Sequence, residues 1–170
     1  MPTLFGGLTI AWTTEDGPQH KKLIVHRGVS PLIAVPNSTM STELARSLRP
    51  ASVPHEDAIF NVSRSALLIA ALIQSPELLF AATEDKLHQS YRAAAMPDTE
   101  SLLRKLRGQG LPAVVSGAGP SILVLCSDPA QRLVAAELIA GNDGSPWQSL
   151  LLAVDFKGAT VTTHPVENSA

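Results

Sequence analysis

The chain has 170 residues, of which 45% are hydrophobic and 16% charged, and its formal net charge is −2. This composition is typical of a globular protein, and without a basic excess it gives no indication of nucleic-acid binding. The longest apolar run, at 66–73, is too short to span a bilayer, and no signal-peptide pattern is present, so no membrane partner is expected. The lone Cys126 cannot form an internal disulfide, which favours a cytoplasmic protein.

The first part of the chain predicts three strands. Two β-rich runs, at 7–14 and 22–27, are separated by an Asp-Gly-Pro turn signal at 16–18. A third run, at 30–36, is nearly all apolar and ends at a proline. Because this run has almost no polar face, it predicts a buried strand.

The middle of the chain predicts helices. A short helix follows Ser41 or Thr42, either of which can serve as its N-cap, and ends at Pro50. The longest helix is predicted over 55–74, where Pro76 stops it. It places a set of apolar residues on one stripe at helical spacing: Ile59, Val62, Ala66, Ile69, Ala70 and Ile73.

Further elements complete an α+β pattern. A helix is expected from 76 onward, continuing through 86–95, and another from Asp98, as its cap, to the glycines at 108 and 110. The rest is predicted as a strand–loop–strand unit, a helix and two strands, at 113–126, 129–140, 149–155 and 159–164. This order of strands and helices indicates the α+β class rather than alternating α/β units.

The loop inside the strand–loop–strand unit is the most distinctive local feature. It consists of Ser116, Gly117, Ala118, Gly119, Pro120 and Ser121. Glycine permits positive φ and close backbone approach, so successive N–H groups here could form a nest for anionic oxygens. The residue order excludes a dinucleotide fingerprint, a Walker A loop and a nucleophile elbow. From the residues alone, a Gly-Pro hairpin turn is the simpler interpretation and a ligand-binding loop is the alternative.

Several segments together resemble one family. The segment VVSGAGPSILVL is similar to the third conserved motif of the GHMP kinases, and LFGGLTIAW, STELARSLRP, HEDAIFNVSRSALLIAAL and LHQSYRAAAMP are similar to segments of the homoserine kinases within that superfamily. They follow the family order across nearly all of the chain. The resemblance implies that residues 30–170 form a GHMP-kinase C-terminal domain, with a ferredoxin-like antiparallel sheet packed with helices. It also implies that 1–29 supplies strands belonging to a truncated N-terminal kinase domain.

The resemblance also implies an activity and its site. The activity is the ATP-dependent phosphorylation of the side-chain hydroxyl of L-homoserine, a step of threonine biosynthesis, with ATP and Mg²⁺ as cofactors of the complete enzyme. It assigns Thr42, Arg46 and Arg92 to substrate binding, and the loop 116–121 to the third motif, while the catalytic residues stay unassigned. Without the resemblance, Thr42 is an N-cap, Arg46 a solvated helix residue, and Arg92 a surface cation stacked on Tyr91.

One departure from the family pattern leads to an alternative function for the chain. The family's glycine- and serine-rich phosphate loop, which cradles ATP at a helix N-terminus, has no counterpart in this sequence. The alternative is therefore an inactive C-terminal fragment, or an amino-acid-binding module, that needs an N-terminal partner for activity. The unpaired edge of the first strands predicts self-association, for example as a homodimer. The scattered histidines have no ligand spacing, so no metal bound by the protein itself is expected.

Overall fold

The computed structural model describes residues 2–143 and 146–162, which form two compact units. The first unit contains 2–24 and the described residues from 154 onward. The second contains Val25–Ala153 and holds most of the helices and the larger sheet.

The first unit is built around a β-hairpin. After the short helix α1 (Pro2–Phe5), strands β1 (Leu8–Thr14) and β2 (Gly17–Leu23) pair antiparallel, with Leu8 opposite Leu23 and Thr14 opposite Gly17. The prediction of a strand at 22–27 was wrong. Gly17, with φ of +109°, lets the chain reverse over the two residues before it, so the second strand begins at the glycine of the turn signal.

The second unit contains a four-stranded antiparallel sheet. Its strands are β3 (Ser30–Pro36), β4 (Ala113–Val115), β5 (Ile122–Cys126) and β6 (Trp147–Leu151), in the spatial order β4-β5-β3-β6. β3 is central and largely buried, as its apolar run predicts. β6 occupies part of the predicted strand at 149–155. Residues 159–162 of the other predicted strand are not extended into a ladder, and its last two residues lie outside the described part of the chain.

Six helices of the second unit connect these strands within the described residues. They are α2 (Thr42–Ser47), α3 (His55–Ile73), α4 (Leu79–Ala82), α5 (Gln89–Arg92), α6 (Pro97–Gly108) and α7 (Pro129–Ala140). α6 and α7 pack against one face of the sheet, and the strand–helix–strand–strand–helix–strand order confirms the ferredoxin-like α+β fold. The core between them is formed by apolar side chains such as Leu32, Leu102, Leu106, Ile122, Val124 and Ile139.

The start of α2 agrees with the predicted cap, whereas the predicted cap of α6 was wrong. Ser41 is the N-cap of α2, and its Oγ accepts the Leu44 N–H at 3.0 Å. α6 begins at Pro97, so Asp98 lies in its first turn and not at the cap as expected. A proline suits this first position because the N–H it lacks would have no partner in the helix.

The continuous helix expected over 76–95 is interrupted. The segment contains only α4, α5 and two short 3₁₀ turns, at 76–78 and 93–95. Asp85 causes the break between α4 and α5, because its carboxylate accepts the backbone N–H groups of Leu87, His88 and Gln89. A side chain that binds three nearby amides stabilises a turn in place of the helix ladder.

Helix α3 turns its polar side inward at its N-terminal half. Asn61 donates to Asp85 at 2.8 Å, and Arg64 forms an ion pair with Glu84 at 2.8 Å. These contacts give Asn61 and Arg64 partners within the unit. The apolar stripe predicted from the sequence faces outward at the same level, where Val62 is 71% exposed.

Candidate functional site

The loop 116–121 is a tight hairpin connection between β4 and β5. The Ser116 N–H donates to the Ser121 carbonyl at 2.8 Å, and the Gly119 N–H donates to the Ser116 carbonyl at 3.0 Å. Gly117 and Gly119 adopt φ values of +59° and +87°, which side-chain-bearing residues rarely adopt. These backbone hydrogen bonds and positive φ angles confirm the interpretation of the loop as a hairpin turn.

Three side chains from the segment 89–99 bind the backbone of β4 and the loop. Gln89 Oε1 accepts the Val115 N–H at 2.7 Å, and Arg92 Nη1 donates to the Gly117 carbonyl at 3.1 Å. Thr99 Oγ1 donates to the Pro120 carbonyl at 2.8 Å. α5 and the start of α6 thus fix both ends and the middle of this backbone.

Arg92 lies at the boundary between the loop and an open depression. The depression has a volume of about 320 Å³ and is lined by Asp85, His88, Gln89, Arg92, Val114, Val115 and Gly117. The Nε atom of Arg92 is buried and has no hydrogen-bond partner within the described residues. A buried donor without a partner is destabilising, and the guanidinium to which it belongs is a group that binds anions through charge-assisted hydrogen bonds.

Asp85 organises the wall of this depression opposite the loop. Its carboxylate accepts Asn61 Nδ2 at 2.8 Å and the Gln89 N–H at 2.7 Å, and the Nδ1 atom of His88 lies 3.1 Å away. Burial alone would raise the pKa of Asp85, but the hydrogen bonds from Gln89, Asn61 and His88 outweigh it and hold the pKa below its ordinary value. Asp85 is therefore a fixed carboxylate whose oxygens are already occupied.

The other predicted site residues lie on α2. Thr42 is the first residue of this helix, and Arg46 is exposed one turn later. Within the described residues the Arg46 guanidinium makes no hydrogen bond or ion pair, and no contact connects it with Arg92. Among the described side chains, the structure therefore brings Arg92 to the loop and leaves Arg46 without a hydrogen bond or ion pair to either of them.

Sequence reasoning missed three residues that shape the site: Asp85, Gln89 and Thr99. An aspartate four residues before a short helix is a capping pattern, so Asp85 left a local signal. Gln89 and Thr99 left none, because each binds a backbone group more than twenty residues away along the chain.

The described residues do not by themselves fit Mg²⁺-bound ATP. Two of the loop's N–H groups donate within the loop, Pro120 has none, and Arg92 is the charged side chain that contacts it. Among the described residues, no three His, Cys, Asp or Glu side chains lie close enough together to hold a metal ion. No helix in that part of the chain is both long and apolar enough to cross a membrane.

Comparison with known proteins identifies the family. Residues 67–142 match the model described as "GHMP kinases C terminal". The chain is 76% identical over 160 residues to the homoserine kinase of Leifsonia xyli subsp. xyli, covering 94% of this chain and 50% of that relative. It is 74% identical to the homoserine kinase of Clavibacter michiganensis subsp. michiganensis, covering 94% of this chain and 51% of the relative.

A solved structure supports the fold. The crystal structure of homoserine kinase from Cytophaga hutchinsonii is similar with a TM-score of 0.76, at 19% identity, over 92% of this chain and 51% of that one. The matched residues lie in the second unit, together with the ferredoxin-like sheet and the glycine loop, and this part of the chain is similar to GHMP kinase C-terminal domains. The chain is also similar to the homoserine kinases, and it spans about half the length of the curated relatives that it matches.

Proposed function

We propose that this chain supplies the homoserine-binding half of an ATP-dependent homoserine kinase. The complete enzyme transfers the γ-phosphoryl group of ATP to the side-chain hydroxyl of L-homoserine and forms O-phospho-L-homoserine for threonine biosynthesis. ATP, with Mg²⁺, supplies the phosphoryl group when bound. The relatives named homoserine kinase and the matching fold support this activity. The lone, fully buried Cys126 supports a reducing, cytoplasmic compartment.

The observation that carries the proposal is the position of Arg92. Its guanidinium lies between the glycine loop and the depression, with one N–H bound to Gly117 and a buried Nε without a partner among the described residues. A carboxylate of an amino acid fits such a group, because a guanidinium binds carboxylates with two parallel N–H donors. Asp85 and Gln89 hold the wall and leave Arg92 as the group that contacts the substrate.

Arg46 and Thr42 are assigned to the same substrate through the family resemblance. The free guanidinium of Arg46 supports a second polar contact, since nothing else in the described chain uses it. α2 starts at Thr42, so both residues lie within the first turns of one short helix. Homoserine carries a carboxylate, an ammonium and a hydroxyl, and its recognition requires several such contacts in addition to Arg92.

An alternative function is an amino-acid-binding domain that is inactive alone and needs an N-terminal partner. The half-length coverage and the lack of a fit for Mg²⁺-bound ATP favour this version for the isolated chain. Calorimetry with ATP separates the two. If the chain alone bound ATP with micromolar affinity, the need for a partner would be contradicted.

The site assignment is tested with Arg92→Ala and the control Arg104→Ala. Arg104 is exposed on α6 and pairs with Glu100 at 2.8 Å, away from the glycine loop. A charged hydrogen-bonding contact is worth about 1.5–3 kcal/mol, which corresponds to about 10–150-fold in affinity.

Activity is measured with the N-terminal half of the L. xyli enzyme supplied in trans. Arg92→Ala should raise the KM for homoserine about 10–150-fold and leave the KM for ATP nearly unchanged. Arg104→Ala should change neither constant. Equal effects of Arg92→Ala on both KM values, or no effect, would refute the assignment.

A further inference from the structure

Helix α3 has an outward face that a self-contained domain would not expose. Ile59 is 57% exposed and Val62 is 71% exposed, and Ala66, one turn further, is exposed as well. On the opposite side, Asp57 and Arg64 are engaged with Lys86 and Glu84. In the N-terminal half of the helix, Asp57 and Arg64 therefore have partners within the unit while Ile59 and Val62 face water, the reverse of the usual surface helix.

The spacing of the apolar residues on this face indicates what would cover them. Ile59, Val62 and Ala66 are exposed, and Ile69 and Ile73, further along the helix, are partly buried. Ile59, Val62, Ala66, Ile69 and Ile73 follow one another at intervals of three, four, three and four residues. This is the repeat with which one helix packs against another at a small crossing angle. The surface suits a second helix with its own apolar stripe better than a strand or an irregular loop.

The edges of this stripe suit a dry contact. Ser63 and Ser65 flank it on either side, and both hydroxyls already donate to the helix backbone, to the Phe60 carbonyl at 2.6 Å and the Asn61 carbonyl at 2.9 Å. Covering them would therefore leave no hydroxyl donor unsatisfied. The exposed Glu56 lies one turn before Ile59, at the N-terminal end of the stripe, and from 58 to 73 the only charged residue is Arg64, on the opposite side. Ala66 at the centre of the stripe allows close approach of the partner helix.

We propose that the stripe Ile59–Val62–Ala66–Ile69–Ile73 is the docking surface for an apolar helix of the N-terminal half of the kinase. The length of the relatives argues for this occupant: this chain covers only 50% of the L. xyli enzyme, so a segment of similar size has no counterpart here. This inference rests on the proposed function. It names the surface of this chain to which the N-terminal half of the kinase would bind.

Cysteine labelling tests the surface without any activity measurement. Val62→Cys places a thiol on the stripe, and Leu133→Cys is the control, because Leu133 on α7 is 57% exposed and lies outside it. The native Cys126 gives no background, since it is fully buried and burial, with Asp128 nearby, raises its pKa to about 11. Thiol reactivity is compared in the isolated chain and with the N-terminal half of the L. xyli enzyme, both in trans and joined as one polypeptide.

The labelling rate at position 62 should fall at least tenfold when the N-terminal half is present, and the rate at 133 should change less than twofold. Equal rates at position 62 with and without that half, in the joined polypeptide, would overturn the proposal. So would protection of position 62 in the isolated chain that increases with its concentration, because the occupant would then be a second copy. Homoserine takes no part in this assay, so a failed substrate assignment leaves its outcome unaffected.

Discussion

The two glycines of the loop provide a matched pair of substitutions. An alanine Cβ at Gly119 would lie 2.8 Å from Met96 Sδ and 3.1 Å from Val115 Cγ1, whereas a Cβ at Gly117 would meet nothing within 4 Å. Both residues have positive φ. Gly117→Ala therefore measures the backbone cost alone, and Gly119→Ala measures the same cost together with a steric clash.

The expected difference follows from these two costs. Placing an alanine in the left-handed region costs about 1–2 kcal/mol, and forcing an extra methyl group into a packed site adds about 1–3 kcal/mol. The neighbouring Met96 is only 6% exposed, so its sulfur has little room to move away. Gly117→Ala should lower the free energy of unfolding by about 1–2 kcal/mol, and Gly119→Ala by about 2–5 kcal/mol.

Urea unfolding followed by tryptophan fluorescence measures both values. In a Trp12→Phe background, Trp147 reports on the second unit, because it packs against the core of that unit. The unfolding midpoints should decrease in the order wild type, Gly117→Ala, Gly119→Ala. Equal midpoints for the two variants would refute the argument that Met96 and Val115 enclose Gly119.

Two further predictions concern titratable groups. Because hydrogen bonds hold the Asp85 pKa below its ordinary value, about 3.9, the ionised carboxylate stabilises the fold above that pH and the contribution is lost as pH falls through the lower folded value. Asp85→Asn should therefore lower the free energy of unfolding by about 1–3 kcal/mol at pH 7, and the difference should shrink below about pH 4. Glu137→Gln, at an exposed position on α7, should leave the free energy of unfolding at pH 7 nearly unchanged. Burial raises the pKa of Cys126 to about 11. Alkylation of this thiol at pH 8 should therefore be at least a hundredfold slower in the native chain than in urea. Comparable alkylation rates in the two conditions would contradict the packing of β5.

Much of the fold could be predicted from the sequence because local chemistry determines it. The apolar run at 30–36 has no face that tolerates water, so it forms the central strand. Ser41 and Asp128 each bind a backbone N–H at the start of a helix, and such caps act over three residues. Local periodicity also predicts α3, but it cannot say which side of the helix is covered, since that depends on neighbours far along the chain.

The candidate site was harder to predict because its contacts connect distant segments. The glycine loop was visible as a motif, and the family resemblance pointed to Arg92. That Arg92 donates to the loop, however, is set by the turn that Asp85 stabilises and by Asn61 of α3, which donates to that carboxylate. No pattern in the residues near Arg92 encodes that turn, and the sequence predicted an uninterrupted helix there.

The three tethers of the glycine loop have a consequence for how this site can change or be moved. Gln89, Arg92 and Thr99 all bind main-chain atoms, so these three contacts do not depend on which side chains β4 and the loop carry. Substitutions at Val114 or Ala118 should thus be absorbed, whereas the hexapeptide transplanted alone into another hairpin would lose its conformation. Transplanting this loop into another protein therefore requires transplanting the segment from Asp85 to Thr99 together with it.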